Sequence, residues 1–250
     1  MKFALPSDEH HPYQDDRAIE VAMKIVSDFD PDLIMTGSDG MDFYQFSRFN
    51  QNPARMKIGF KEELDSWKRT QKMWIDAAPN AERFYIKGNH EDRLRKYIWK
   101  NAQLYGVEAL ELPMLLGFDE LHIPYVSVYE DFYEKVIDNV VSIKHGQFAR
   151  KFSAYSAKAE MENEKHSIST ITFHTHRGGS FWSRTRHGII QAHEGFCLCL
   201  MEPEYVHHPD WQQGIVVGEV VNGMLSVEPV LIVDYAGQKR AIWRGKEYTA

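Results

Sequence analysis

Five times in the first 176 residues an apolar strand breaks off at a short segment carrying Asp, His or Asn, and this recurrence constrains the fold most. The segments are Asp8-Glu9-His10, Asp39-Gly40-Met41-Asp42, Gly88-Asn89-His90-Glu91, His145-Gly146 and His174-Thr175-His176. They end the runs Phe3 to Leu5, Leu33 to Thr36, Arg83 to Lys87, Val140 to Lys144 and Ile168 to Phe173. In open α/β sheets, sites form outside the carboxyl ends of strands. Five such strands would gather seven or more oxygen and nitrogen ligands in one cleft, a donor set without thiolates that suits divalent Mn, Fe, Zn or similar ions. A lone strand-end His is by itself an ordinary structural residue. His174 and His176, alternate residues leaving a strand, point to the same side.

Helices separate these strands. Ala18, Ala22, Ile25, Val26 and Phe29 recur at spacings of three and four between Asp15 and Asp30, and Pro31 stops the run. A second helix is predicted from Lys61 to Ala78, with Leu64, Trp67, Trp74 and Ala78 on one face; a third runs from Glu91 to Gln103 and a fourth from Ser153 to Glu164. Residues 107 to 141 read as short strands and turns. After residue 186 only strands are expected, at 189–191, 196–200, 214–221 and 225–233, with Asn222-Gly223 as a hairpin turn. Alternating helices and strands that give way to antiparallel strands predict two packed sheets flanked by helices. With no repeat or linker, residues 1–250 read as a single domain.

The chain carries 36 acidic and 29 basic residues, a formal net charge of −7, which argues against a blanket binder of nucleic acid but not against a local basic groove. No run approaches the ~18 apolar residues of a membrane span. Lys2 and three apolar residues before Pro6 fall short of a signal-peptide core. Cys197 and Cys199, the two cysteines, sit too close in sequence for an unstrained disulfide and read as buried thiols, so a cytoplasmic location is expected.

The order of the five segments resembles that of the calcineurin-like metallophosphoesterases, over about residues 1–180. The resemblance implies a four-layer α/β/β/α sandwich with two mixed β-sheets, the C-terminal strands completing the second sheet, and a dinuclear metal site. It implies that Asp8, His10 and His176 bind one metal, that Asn89, His145 and His174 bind the other, and that Asp39 bridges them. It further implies that His90 assists the leaving oxygen and that Asp42 orients and charge-stabilises His90 through a hydrogen bond. Two cations ~3.5–4 Å apart share a bridging water, lower its pKa and hold it in line with phosphorus. Manganese is the expected metal, with Fe, Zn, Ni or Mg as alternatives. This sequence departs from the family at Ser38, Lys144 and Phe173, where Gly is usual or frequent. It also has Phe43 where serine/threonine protein phosphatases have Arg, which argues against a protein phosphatase.

Arg93 and Arg177 are candidate phosphate contacts, since Arg matches phosphate bidentately; a solvated helix face and a polar loop are their plainer readings. Arg95 and Lys96 share the first of these. Lys57, Lys61, Lys68, Arg69 and Lys72, with Trp67 and Trp74, form a basic aromatic stretch that reads better as a core helix with a mixed face. His207, His208, Pro209 and Trp211 form either a loop over the cleft or a turn with an anchoring indole. The expected function is a metal-dependent phosphoesterase, a phosphodiesterase of a nucleotide or nucleic acid. The alternatives are a phosphomonoesterase of a small metabolite or nucleotide and a non-catalytic interaction module of the same fold.

Overall fold

Strand β1 (Lys2–Leu5) sends its side chains alternately into two cores, and the rest of the architecture is arranged around it. The computed structural model describes residues 1–124, 134–163, 168–186, 188–202 and 208–250. Helix α1 (Asp16–Phe29) crosses from β1 to β2 (Leu33–Gly37), and α2 (Phe60–Ala77) crosses from β2 to β3 (Glu82–Ile86). The three strands are parallel, as such crossovers require. Asp15 caps α1 by accepting from the backbone N–H of Arg17 and Ala18, and Asp30 closes it in the left-handed conformation.

Beyond β3 come α3 (Glu91–Lys100), the short α4 (Leu112–Leu116), β4 (Glu134–Ile137), β5 (Val141–Lys144), α5 (Tyr155–Glu162), β6 (Ser169–Thr172), β7 (Gly178–Thr185) and β8 (Gly188–Gly195). Four strands follow: β9 (Gln213–Val221), β10 (Met224–Tyr235), β11 (Gln238–Trp243) and β12 (Lys246–Thr249). They form a seven-stranded sheet, β12-β11-β10-β9-β1-β2-β3, and a five-stranded sheet, β4-β5-β6-β8-β7. Both sheets are mixed.

Phe3 and Leu5 of β1 face a core between the sheets, where they meet Met35, Phe84, Ile143, Ile171, Phe173 and Val216. Ala4 faces the opposite way, into a core that α1 and Trp74 of α2 complete with Ile34, Ile215, Val217 and Val230. On the far side, Ala157 and Met161 of α5 cover Ala192 of β8. The layers therefore run α/β/β/α. Each fully buried large apolar side chain contributes roughly 1.5–3 kcal/mol. Trp67 and Trp74 are both buried, so the basic stretch around them is a core helix.

Several expectations are corrected. Of the C-terminal strands only the one expected at 189–191, β8, helps close the second sheet with β7; β9 pairs antiparallel with β1 and carries β10–β12 into the seven-stranded sheet. Residues 196–200 are no strand but make isolated bridges from Cys197 to Gln213 and from Cys199 to Gln14. Helix α3 stops at Lys100 and gives way to a 3₁₀ turn at Ala102–Leu104. Much of the region read as strands and turns folds as 3₁₀ turns and α4 around Leu116, Phe118 and Leu121. Glu164, the predicted end of the fourth helix, and His207 lie outside the described residues. Val221 and Met224 pair across Asn222-Gly223, both at positive φ, as a two-residue hairpin demands. No helix among the described residues is long and apolar enough to cross a membrane.

Candidate metal centre

The carboxyl ends of β1, β2 and β3 in one sheet and of β5 and β6 in the other converge, and each is followed by one polar segment. Immediately past the strands the backbone turns sharply. Asp8, His10, Ser38, Asp39, His174 and His176 all have positive φ, between 50° and 71°. Such conformations cost of order 1–3 kcal/mol each away from Gly and cluster at functional sites. Here they turn the three loops after β1, β2 and β6 toward one point.

Two groups of donor atoms result. In the first, His10 Nε2 lies 3.0 Å from His176 Nε2, and Asp8 Oδ1 lies 3.1 Å from His176 Nε2 and 3.7 Å from His10 Nε2. Asp8 Oδ2 accepts from Ser7 Oγ, while the buried Oδ1 makes no well-formed hydrogen bond. In the second, His145 Nε2 stands 3.0 Å from Asn89 Oδ1, 3.2 Å from His174 Nδ1 and 3.3 Å from Asp39 Oδ2. Asp39 is common to both sides: its carboxylate groups with His145 and His174 and also with His10 and His90. The seven residues expected as ligands are thus brought together, and these His/Asp groups could hold metal ions. The donors fit hard and borderline divalent cations, and an orphaned buried carboxylate oxygen between two imidazole nitrogens is what a cation would satisfy.

Electrostatics follow from this crowding. Burial opposes charge on His10, but the carboxylates of Asp42, Asp8 and Asp39 outweigh it and lift its pKa to about 10. Burial is likewise outweighed at His145, chiefly by Asp39, and its pKa rises to about 9. Burial alone would raise Asp39, yet His145, His90 and His10 hold it well below the usual carboxylate range. Burial lowers both His174 and His176, which favours the neutral imidazoles that ligation needs.

Residues behind the donors fix their aim. Ser38 Oγ lies 3.0 Å from His145 Nδ1; in the neutral ring Nδ1–H donates to it and Nε2 turns its lone pair to the cleft. The Glu91 carboxylate accepts from the backbone N–H of Gly88, Asp39 and Met41 (2.8, 3.2 and 3.1 Å) and so ties the loop after β3 to the loop after β2. Gly88 is required there, because a Cβ would fall 2.0 Å from Asp39 Oδ1. Glu9 accepts from Trp74 Nε1 at 2.7 Å and meets His11 Nε2 at 3.0 Å, which anchors the first segment to α2.

Three expected roles change. His90 Nδ1 meets the backbone carbonyl of Asp42 at 3.1 Å, not its carboxylate, which lies 3.9 Å away. The Asp42 carboxylate is instead engaged by Arg93 Nη1 at 3.0 Å, with Arg55 at 3.6 Å and His10 at 3.7 Å. Arg93 Nη2 also donates to His90 Nε2 at 2.8 Å, so that imidazole is neutral, and burial, helped by the positive charges of His10 and Arg93, pushes its pKa down to about 3. The imidazolium expected at His90 is therefore not its resting state. Arg93 lines a cavity of about 590 Å³ with Asp42, Tyr44, Arg55 and His90, as a phosphate contact would. Arg177 does not: its guanidinium donates to the carbonyls of Lys151 (2.9 Å) and Arg150 (2.6 Å) and lies 3.9 Å from Glu194, clamping a loop. Lys144 Nζ lies 3.7 Å from Glu160.

One neighbour was not expected, and a second settles toward one of two readings left open. Cys199 groups with His10 and His176, but its hydrogen bond with Cys197, with burial, drives its pKa up and keeps it a thiol. Trp211 packs edge-on against His176 at 4.2 Å between ring centroids, which favours the loop-over-cleft reading of that segment.

No family model matches the sequence, and no curated protein does. Among solved structures, a single mutant of Vps29 from Entamoeba histolytica is similar to this chain at a TM-score of 0.46 and 12% identity, covering 100% of this chain and 97% of its own.

Proposed function

We propose that the chain is a hydrolase of phosphate esters, specifically a phosphodiesterase of a nucleotide or nucleic acid, that uses two divalent cations. Asp8, His10 and His176 would hold one, Asn89, His145 and His174 the other, and Asp39 would touch both. One observation carries the reading: seven donor side chains from five strand ends converge in two groups that share a single carboxylate. The resemblance of the five segments to the calcineurin-like metallophosphoesterases supports it. When bound, such a pair of cations supplies Lewis acidity, acidifying water and offsetting the charge of the phosphate oxygens.

The chain's own groups do the rest. Arg93 presents a permanent cation at the cavity wall and is held there by Asp42. A phosphate entering beside it takes up hydrogen bonds from the guanidinium and adds negative charge next to His90. That charge raises the His90 pKa, and the imidazole then carries a proton on Nε2 that it delivers to the departing oxygen, while Nδ1 stays bonded to the Asp42 carbonyl. The cavity beside His90 shares Ser47, Phe49 and Arg93 with a larger neighbouring one of about 840 Å³. That openness favours a diester over a monoester, which needs a closed pocket for a terminal phosphate. The test is a panel of bis-p-nitrophenyl phosphate, p-nitrophenyl phosphate, cyclic nucleotides and single- and double-stranded DNA with Mn²⁺, Ni²⁺, Zn²⁺ or Mg²⁺. Turnover with a diester preference is expected; failure to retain metal and hydrolyse any member sinks the reading in favour of an interaction module.

Two results are expected of metal loading itself. His10 and His145 are protonated through neutrality in the chelated protein and must be neutral as ligands, so each cation displaces about one proton at pH 7. Apparent affinity then rises up to about tenfold per pH unit for each cation until the pH passes about 9 to 10, and loading weakens in acid. An indicator dye during MnCl₂ titration reads the release; no release at pH 7 contradicts it. Ser38→Ala is expected to weaken metal binding roughly 10–100-fold by freeing the His145 ring, read by competition with a chelator, with folding unaffected.

A further inference from the structure

We propose that the groove between α3 and the loop at residues 45–51 takes a single strand of nucleic acid and leads it into the metal centre; the destination rests on the hydrolase reading above. The groove, about 840 Å³, begins at Asn89 and Arg93, which belong to the centre, and runs out past Lys96, Trp99 and Lys100 on one wall and Arg48 and Phe49 on the other. The chain as a whole is acidic, with a formal net charge of −7, yet no Asp or Glu is among the groove's described lining residues. Arg93, Lys96 and Lys100 stand at i, i+3 and i+7 on one face of α3, an alignment helical geometry gives. The acids of this helix, Glu91 and Asp92, lie in its first turn. Of these two acids Asp92 lies 3.8 Å from Lys96 Nζ, and from outside the helix the Asp42 carboxylate engages Arg93 at the inner end of the row.

Charge alone would fit any polyanion. The aromatics narrow the choice. Phe49 is 67% exposed and Trp99 59%, large apolar surfaces left in water beside cations. Arg48 stands over Phe49 at 5.1 Å and Arg95 over Trp99 at 4.9 Å. Cations tracking a backbone beside flat rings on which bases stack make the pattern of a single-strand site. Bases within a duplex are stacked on one another and offer no face to such rings. The seven residue steps from Arg93 to Lys100 rise about 10 Å, the span of about three stacked nucleotides.

The test is fluorescence anisotropy of a short fluorescein-labelled oligothymidylate and an oligouridylate with the full chain in EDTA, so that no strand is cut. Trp99→Ala is expected to weaken binding roughly five- to a hundredfold, the size of one lost stacking contact. Lys96→Glu with Lys100→Glu is expected to lower the slope of log affinity against log salt by about 1.4, two phosphate contacts on a single strand. Thermal melting confirms that each variant folds. Binding of both oligonucleotides supports a groove that ignores the sugar, and binding of one supports a groove that reads it. If inorganic polyphosphate or polyglutamate competes as well as oligothymidylate, or if the variants bind like the parent, the proposal is overturned. A parent that hydrolyses bis-p-nitrophenyl phosphate with Mn²⁺ but binds neither oligonucleotide refutes the groove and leaves the hydrolase. Groove-dependent binding without turnover on any phosphate ester refutes the hydrolase and leaves the groove.

Discussion

Asp39→Asn is expected to remove bound metal and phosphoesterase turnover together. Asp39 Oδ1 accepts from the backbone N–H of His90 at 2.7 Å, which leaves Oδ2 for the cleft, 3.3 Å from His145 Nε2 and 3.8 Å from His90 Nε2. Asparagine keeps the shape but loses the charge. With its oxygen kept on the His90 N–H, its amide presents two hydrogens where a cation needs a lone pair. Both groups of donors share this one carboxylate, so neither retains a full set. Occupancy should fall from two ions to one or none per chain, and turnover of bis-p-nitrophenyl phosphate by roughly 10³. Elemental analysis of the desalted protein reads the first and a colorimetric assay the second. A variant that keeps two ions per chain would show that Asp39 does not stand between them.

His90→Ala has the second largest expected effect and separates chemistry from binding. His90 is not among the seven proposed ligands, and its side chain bonds to Arg93 and the Asp42 carbonyl. Metal content should therefore hold while turnover falls roughly 10²–10⁴ on an alkyl ester, the usual worth of a general acid. The loss should shrink on p-nitrophenyl esters, whose leaving group departs without a proton. An equal loss on both would mean that the imidazole acts mainly by holding Arg93. Full activity on the alkyl ester would remove it from the reaction.

The five strand ends were legible because both halves of the signal are local: an apolar run and the polar residues directly after it. Helices α1 and α2 were legible through the spacing of Ala22, Ile25 and Phe29 and of Trp67 and Trp74, which the structure buries. What depends on distant pairing was not. Nothing near Val216 or Val217 says that they lie beside Leu5 and Ala4, so the last strands were assigned to the wrong sheet. The hairpins around Ala236-Gly237 and Arg244-Gly245 repeat the positive-φ geometry of Asn222-Gly223. Ala and Arg are poor left-handed residues, however, and the signal was too weak to find β11 and β12. Side-chain direction was equally hidden. Arg177 follows a candidate ligand in sequence, but its guanidinium is drawn to two carbonyls beyond the cleft. The role of Glu91 is invisible in its segment, because three N–H groups from two loops meet it only in the folded chain.

The insertion of β9 between β1 and β10 has a consequence for synthesis on the ribosome. The first strand emerges early, but its antiparallel neighbour is made more than two hundred residues later. Until then β1 has one open edge, and the apolar faces of Phe3 and Leu5 lack the cover that Val216 and Val220 provide. A nascent chain halted near residue 200 would carry every proposed ligand while the core between the sheets still lacked Val216 and Val220. The core between the two sheets should therefore close only once β9 is made, late in translation.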